Sequence, residues 1–345
     1  MTQRIGILTG GGDCPGLNAV LRAVVRRGVD EHNLRIFGFR NGWQGVLDGS
    51  AQPLDMAATR GILHRGGTIL GTSRTDPIKS PDGVARIREA LEVHGIDGLI
   101  VVGGEGTLSA ATALHERHAM PIVGVPKTID NDLGGTDFTV GFATARDIAT
   151  EAVDRLHSTA ESHNRVMLLE VMGRHVGWIA VQAGIAGGAD AILIPEQPFD
   201  LERVCRHLKR RHGSGRDFSI VVVAEGAVPA EGTIELPERP TDQFGRPVLG
   251  GIATFLGPLI EERTGFDTRG TILGHVQRGG TPNAFDRVLG SSFGVAAVDL
   301  AARGEWGSMV GVRGHSVIPV PLREATATLK TVPPSIFDVA RVFFG

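Results

Sequence analysis

A short apolar run that closes on clustered glycines and then passes into a helix-periodic stretch occurs twice early in this chain, and no other feature constrains the fold as much. Arg4 to Thr9 leads into Gly10-Gly11-Gly12-Asp13 and then Asn18 to Val29, where Ala19, Leu21, Val24, Val25 and Val29 mark a mostly buried helix. Gly98 to Val102 leads into Gly103-Gly104-Glu105-Gly106-Thr107 and then a helix over Leu108 to His115. A third strand, Ile122 to Val125, ends in the polar stretch Pro126-Lys127-Thr128-Ile129-Asp130-Asn131-Asp132. Strands alternating with helices predict a parallel sheet covered on both faces, whose ligand crevice lies beyond the strand C-termini where the three polar loops converge.

A second series follows: helix Ala143 to His157, strand Val166 to Val171, helix Val176 to Ala183, strand Ala191 to Ile194, helix Leu201 to Arg211 and strand Phe218 to Ala224. From Val228 to Arg246 the prolines Pro229, Pro237 and Pro240, with glycines and charges, read as an exposed excursion. A helix over Leu249 to Thr264 and a strand over Thr271 to Gly274 resume the pattern. With 345 residues and 41% hydrophobic content, the chain can build two cores. The expected class is α/β, with two Rossmann-like three-layer domains around parallel central sheets. No exact internal repeat is present, although two similar halves fit an old duplication.

Several function classes are excluded. The longest apolar runs, such as Gly98 to Val102 and Ile220 to Ala224, fall far short of the ~20 residues that span a bilayer. The opening Met1-Thr2-Gln3-Arg4 precedes no signal-peptide-like apolar block. Two cysteines, Cys14 and Cys205, make neither a disulfide framework nor a zinc spacing, so a reducing cytoplasm is the expected compartment. A net charge of −3 gives no global field toward nucleic acid or a membrane surface, and any anion site must be local.

Three loops carry chemistry. Gly10, Gly12 and Gly16 miss the GxGxxG spacing, and no Lys-Ser/Thr follows as a P-loop requires. Taken alone, this loop serves equally as a phosphate cradle at a helix N-terminus or as a tight packing turn. The second loop places one carboxylate, Glu105, among glycines, which suits a Mg²⁺-bound polyphosphate. The third supplies Asp130 and Asp132, one able to take a hydroxyl proton while the other holds metal. A single DND is more commonly an Asx-rich turn, but three such loops at successive strand ends argue against coincidence.

The chain resembles the phosphofructokinase family in four ordered blocks: Gly11-Gly12-Asp13 with Pro15-Gly16 and Asn18; Pro126 to Asp132; Glu170-Val171-Met172-Gly173-Arg174; and Leu273-Gly274-His275-Val276-Gln277-Arg278-Gly279-Gly280. The match covers most of the chain. It implies the phosphofructokinase fold, with residues 1–141 and 277–327 as the phosphoryl-donor domain and 142–276 with 328–345 as the fructose 6-phosphate domain. It implies transfer of the γ-phosphoryl of ATP to the 1-hydroxyl of fructose 6-phosphate, with Mg²⁺, in glycolysis.

By resemblance, Asp130 is the general base and Thr128 lies beside it. Asp132 and Glu105 serve Mg²⁺, with Glu105 standing where most members carry Asp. Gly12 offers its N–H to the transferring group, and Arg74 and Arg174 neutralise charge on it. Thr75, Gly104, Gly106 and Thr107 complete the donor site. Met172, Gly173, Arg174 and Glu225 hold the sugar with Thr128, Asp130 and Asp132. His275, Arg278, Arg165 and Arg269 grip the 6-phosphate, since arginine forks suit phosphate. The family draws Arg165 and Arg269 from a neighbouring subunit, which implies a homo-oligomer, usually a tetramer, with shared active sites. Without its motif, each arginine reads as a surface cation.

Two positions speak to the donor. Pyrophosphate-dependent relatives carry Asp where this chain has Gly106, and a glycine leaves room for the α-phosphate of ATP. Lys127 matches the pyrophosphate type instead, a mixed signature like that of the actinobacterial branch. Gly106 weighs more, because an obstructing carboxylate is a steric matter. Trp43 occupies the place of an adenine-stacking aromatic, with packing an equal explanation. Arg22, Arg26 and Asp190 match the bacterial effector site, but Met56 and His157 replace two of its arginines, so a weak or altered response to ADP and phosphoenolpyruvate is expected.

Rival readings are a pyrophosphate-dependent phosphotransferase, a nicotinamide-nucleotide or lipid kinase suggested by the second loop alone, and a non-catalytic sugar-phosphate sensor. The Met172 to Arg174 and His275 to Arg278 blocks disfavour the second, and intact acids disfavour the third. The basic residues from Arg203 to Arg216 read as the solvated face of a helix capped by Asp200, with Leu201, Val204, Cys205 and Leu208 inward. His115 and His118 lack metal partners in the sequence, and Cys14 reads as a small buried thiol.

Overall fold

The computed structural model describes residues 2–238, 240–241 and 249–343. Its contacts divide the chain into two units, Met1–Thr144 with Arg278–Lys330 and Ala145–Gln277 with Thr331–Gly345. The strands, in chain order, are β1 (Arg4–Thr9), β2 (Arg35–Phe39), β3 (Ala51–Leu54), β4 (Gly98–Gly103), β5 (Ile122–Pro126), β6 (Val166–Val171), β7 (Ala191–Leu193), β8 (Ser219–Ala224), β9 (Thr268–Ile272), β10 (Ser308–Arg313) and β11 (Ser316–Pro321).

In the first unit they form one sheet ordered β11-β10-β5-β4-β1-β2-β3, parallel except for its two edge strands. The β4 and β5 residues are all buried, as expected of parallel strands with helices on both faces. One face carries a cluster containing Leu8, Phe39, Trp43, Val101, Leu108, Leu114, Met309 and Leu322. The strand order reverses at β1, whose neighbours are β4 on one side and β2 on the other, and such a switch point opens a crevice beyond the strand ends. Register sets the level of that opening, because Thr9 pairs with Val102 and Val102 with Val125. The three polar loops therefore leave the sheet side by side.

Asp286 stitches this unit together from inside. It is fully buried at the start of the helix Ala284–Ala302, and its carboxylate accepts from Gly141 N (2.9 Å), Thr144 N (2.7 Å) and Thr144 Oγ1 (2.6 Å).

The second unit holds an all-parallel sheet ordered β7-β8-β6-β9 over a core that includes Val166, Leu168, Leu193, Leu208, Val221, Leu256 and Ile260. Glu170, 2% exposed, accepts from Gly251 N (2.8 Å) and Ala253 N (2.9 Å), seating the N-terminus of the helix Ile252–Thr264. Asp200 caps the helix Leu201–Gly213 through Glu202 N at 2.9 Å, and its cationic last turn opposes the negative end of the dipole. No helix among the described residues is long and apolar enough to cross a membrane.

Several boundaries differ from the sequence reading. The helix expected from Leu108 begins at Glu105, and the one expected from Leu249 begins at Ile252, after Gly250 and Gly251 with φ of 117° and 88°. The helix expected over Ala143 to His157 runs Phe142–His163. The strand expected over Thr271 to Gly274 is β9, Thr268–Ile272; Gly274 has φ 53° and opens a 3₁₀ turn, Gly274–Arg278. Of the excursion read from Val228 to Arg246, the stretch Val228 to Glu238 is mostly exposed and carries no helix or ladder strand, while Arg246 lies outside the described residues.

Asp286→Ala would leave buried N–H donors without acceptors, so we expect a loss of about 3 kcal/mol. Urea unfolding of the variant against wild type measures it, with Asp286→Asn falling between the two.

Candidate active site

The first glycine loop is held from four sides within the first unit. Gly10 N donates to Val102 O (2.9 Å) and Gly11 N to Ser73 O (2.9 Å), while Thr72 Oγ1 donates to Gly11 O. The Lys127 ammonium donates to Gly10 O at 2.9 Å and to Gly12 O in a shorter contact. The Arg278 guanidinium lies so close to Gly12 that a Cβ there would collide with it, and Nη1 reaches Asp13 O at 3.4 Å. The Gly71–Ser73 turn thus braces the loop, and the exposed Arg74 follows it directly. Thr75 is half-buried and donates to Gln44 Oε1 at 3.1 Å.

Glu105 opens the helix Glu105–His118 rather than sitting in a loop, because Gly104 is its extended N-cap. The first-turn position puts the exposed carboxylate at the positive end of the helix dipole. A Cβ built on Gly106 meets nothing within 4 Å, so the space beside this backbone is open. Thr107 is buried, its side chain packed against Gly10 and Gly103.

Lys127 is 2% exposed, and its N–H donates to Gly103 O at 2.9 Å, so one residue ties the first and second loops. Burial pulls its ammonium below the ordinary lysine range and Arg278 adds to that pull, against the opposing charges of Cys14, Asp13 and Asp130. In the acid loop, Asp130 N donates to Thr128 Oγ1 (3.1 Å), and Thr139 Oγ1 donates to Thr128 O (2.6 Å). Asp130 is 4% and Asp132 9% exposed. Between them Asn131 adopts φ 54°, a left-handed geometry that asparagine tolerates. Lys330 packs onto this loop, and burial pushes its amine down to about 8 against the attraction of Asp132 and Asp137.

In the second unit, Met172 N donates to Gln277 Oε1 (3.1 Å), and Gly173 N and Arg174 N donate to Glu225 Oε1 (3.3 and 3.0 Å). Gly173 and Arg174 take φ of 148° and 52°, and these two buried side chains hold that turn in shape. His275 is exposed in the 3₁₀ turn after β9. Arg165 and Arg269 do not join this cluster. Both pair with Asp267, Arg269 at 2.6 Å, at the N-terminal ends of β6 and β9. Met172 and Glu225 follow the opposite ends of β6 and β8, and the six residues of β6 span roughly 20 Å.

The sequence from residue 4 to 301 matches the family described as Phosphofructokinase. The chain belongs to the phosphofructokinase family. It is 56% identical to the pyrophosphate--fructose 6-phosphate 1-phosphotransferase of Streptomyces coelicolor, over 99% of this chain and 100% of that one. It is 55% identical to the ATP-dependent 6-phosphofructokinase of Mycobacterium tuberculosis, over 99% of its length. Among solved structures, phosphofructokinase from Saccharomyces cerevisiae superposes with a TM-score of 0.79 at 34% identity, over 99% of this chain and 47% of the yeast chain. The chain thus spans about half the length of the yeast protein and the full length of the Streptomyces one. The family's α/β fold is what both sheets display.

Of the two readings open for Trp43, packing is the one the first unit displays: the ring is 1% exposed within its core, and its Nε1 donates to Thr107 O at 3.3 Å. Asp190 is not open to an effector metal, because Arg211 (2.7 Å) and Ile220 N (2.8 Å) take its two oxygens. His157 is likewise built into the fold, its Nε2 on Gly187 O at 2.6 Å and its ring edge-on to Phe218. Arg22 is half-buried and Arg26 exposed on the helix Leu17–Asp30. The sequence reading missed Thr72, Gln277 as a loop holder and Lys330; the last lies 199 positions from Asn131, where no local signal reaches.

Cys14 is buried, donates toward Val140 O at 3.4 Å, and is pushed up to about 12 by burial. At pH 8 only about one molecule in 10⁴ then carries the thiolate, so native protein should resist iodoacetamide at Cys14, as peptide mass mapping would show.

Proposed function

We propose that this chain transfers the γ-phosphoryl group of ATP to the 1-hydroxyl of fructose 6-phosphate, yielding fructose 1,6-bisphosphate and ADP. The observation that carries the donor is Gly106, which sets no side chain beside its backbone and where a Cβ would meet nothing within 4 Å, leaving room that suits the α-phosphate of a nucleotide. Asp130 takes the hydroxyl proton, the sugar oxygen forms its bond to the γ-phosphorus, and the bridging P–O bond breaks toward ADP. Gly12 N–H, Arg74 and Arg174 stabilise the transferring charge, Gly104 and Thr107 shape the donor loop, and Thr75 flanks it. Arg278 lies against Gly12, which suits contact with phosphate.

Among the described residues no group of three or more His, Cys, Asp or Glu side chains closes on a metal. Mg²⁺ takes one or two carboxylates and completes its shell with phosphate and water, and Glu105 and Asp132 are the residues that would supply those carboxylates. Mg²⁺ supplied with ATP would neutralise the polyphosphate charge.

Met172, Gly173, Arg174, Glu225 and His275 form the sugar side, where Glu225 acts largely by shaping the Gly173-Arg174 turn. Arg165 and Arg269, at the far ends of the strands, are too distant within one chain to grip the same phosphate, which supports their service to a neighbouring copy. The working form is then a homo-oligomer, a tetramer with shared active sites, in the cytoplasm. Effector control through Arg22 and Arg26 is weak or altered.

A second reading, with pyrophosphate as donor, is favoured by Lys127 and by the Streptomyces relative's name, whose identity to this chain matches that of the ATP-named relative. Coupled assays of fructose 6-phosphate phosphorylation with ATP and with pyrophosphate decide; turnover with pyrophosphate alone overturns the ATP reading. Gly106→Asp, which has room for its side chain, should keep the unfolding midpoint and lower kcat/KM for ATP. Asp130→Ser should cut kcat by about 10²–10⁴-fold while fructose 6-phosphate still binds in calorimetry.

A further inference from the structure

We propose that Lys330 is a positioning residue for phosphoryl transfer: its half-buried ammonium clamps Asn131 and so fixes the carboxylates on either side of it, Asp130 and Asp132. The inference rests on the phosphofructokinase reading of that loop.

Lys330 Nζ donates to Asn131 Oδ1 (2.9 Å), Thr136 O (2.8 Å) and Asp137 O (3.1 Å). Its own N–H donates to Asp132 O at 3.0 Å. One residue from the far end of the chain therefore grips both limbs of the acid loop. Asn131 is the keystone it grips: 1% exposed, in left-handed geometry, with Oδ1 also accepting from Thr139 N (3.1 Å) and Nδ2 donating to Asp137 O (3.2 Å). A left-handed non-glycine residue persists only where its surroundings over-determine it, and Lys330 supplies much of that determination. Burying an ammonium is costly unless its protons are matched, and here three acceptors meet it. No part of Lys330 has a role in the sequence blocks, and nothing in the chemistry of transfer needs it to touch a substrate. Its action runs through the loop.

Misplacing a base by about 1 Å can cost roughly 10²-fold in rate, so Lys330→Met, which keeps the bulk and removes the donors, should lower kcat by about 10- to 100-fold with little change in KM for either substrate. Lys330→Arg, which keeps charge and donors, should recover most of that loss. Hydrogen exchange gives an independent readout: the amides of Asp130, Asn131, Asp132 and Thr139 should exchange faster in Lys330→Met, with β4 and β5 unchanged. Wild-type kcat in Lys330→Met overturns the proposal, and so does lost activity with unaltered exchange in the loop. Should the methionine variant fail to fold, Lys330→Gln is measured by the same two criteria. If wild-type protein turns over neither donor, the functional reading falls, and the exchange comparison alone decides whether Lys330 clamps the loop.

Discussion

A buried ammonium governs the loops of the first unit. Lys127 stands one residue past β5, and the register of β1, β4 and β5 brings it level with both neighbouring loops. Its backbone binds Gly103 and its side chain binds Gly10 and Gly12, so three chain segments distant in sequence share one anchor. The carbonyls of Gly10 and Gly12 turn onto the cation while the N–H groups of Gly10 and Gly11 are held by Val102 O and Ser73 O, so the loop backbone is fixed through both its donors and its acceptors. The same commitment changes what Lys127 says about donor choice. A lysine bonded to loop carbonyls is part of the loop's architecture, whatever donor occupies it, whereas the empty space at Gly106 bears on nucleotide fit directly.

The second unit uses carboxylate and amide side chains in place of a cation. Glu225 and Gln277 receive three consecutive backbone N–H groups from Met172, Gly173 and Arg174, and so convert an otherwise strained turn into a fixed platform. Met172 is buried there, and Arg174 alone of the three carries a partly exposed side chain. Asp267 does something similar at the other end of the sheet, where one carboxylate orders two arginines that would otherwise repel.

Much of this was legible in the sequence because it is local. The strand Val166 to Val171 emerged with unchanged limits, since a continuous apolar run between polar flanks admits few alternatives. The three glycine and acid loops were found because turn chemistry concentrates glycine, asparagine and aspartate in a few adjacent positions. The helix Ala284–Ala302 was not assigned, as its small and apolar residues surround it with too little polar contrast for a period to show. The strands β2, β3 and β11 are short or lie at sheet edges, and β10 sits between β11 and β5, so the assignment of all four depends on their partners in the sheet. Asp190 shows the limit of such matching: a matching position states which residue is present, whereas burial and partners decide what that residue does.

Gly106 occupies a first-turn position of its helix where an added side chain would touch no neighbour. Mechanical independence of this kind means that a lineage can exchange residues there without disturbing the core. On the proposed role of Gly106, energy currency becomes a trait that substitution at one surface position can revise, and relatives named for different currencies stand at 56% and 55% identity to this chain.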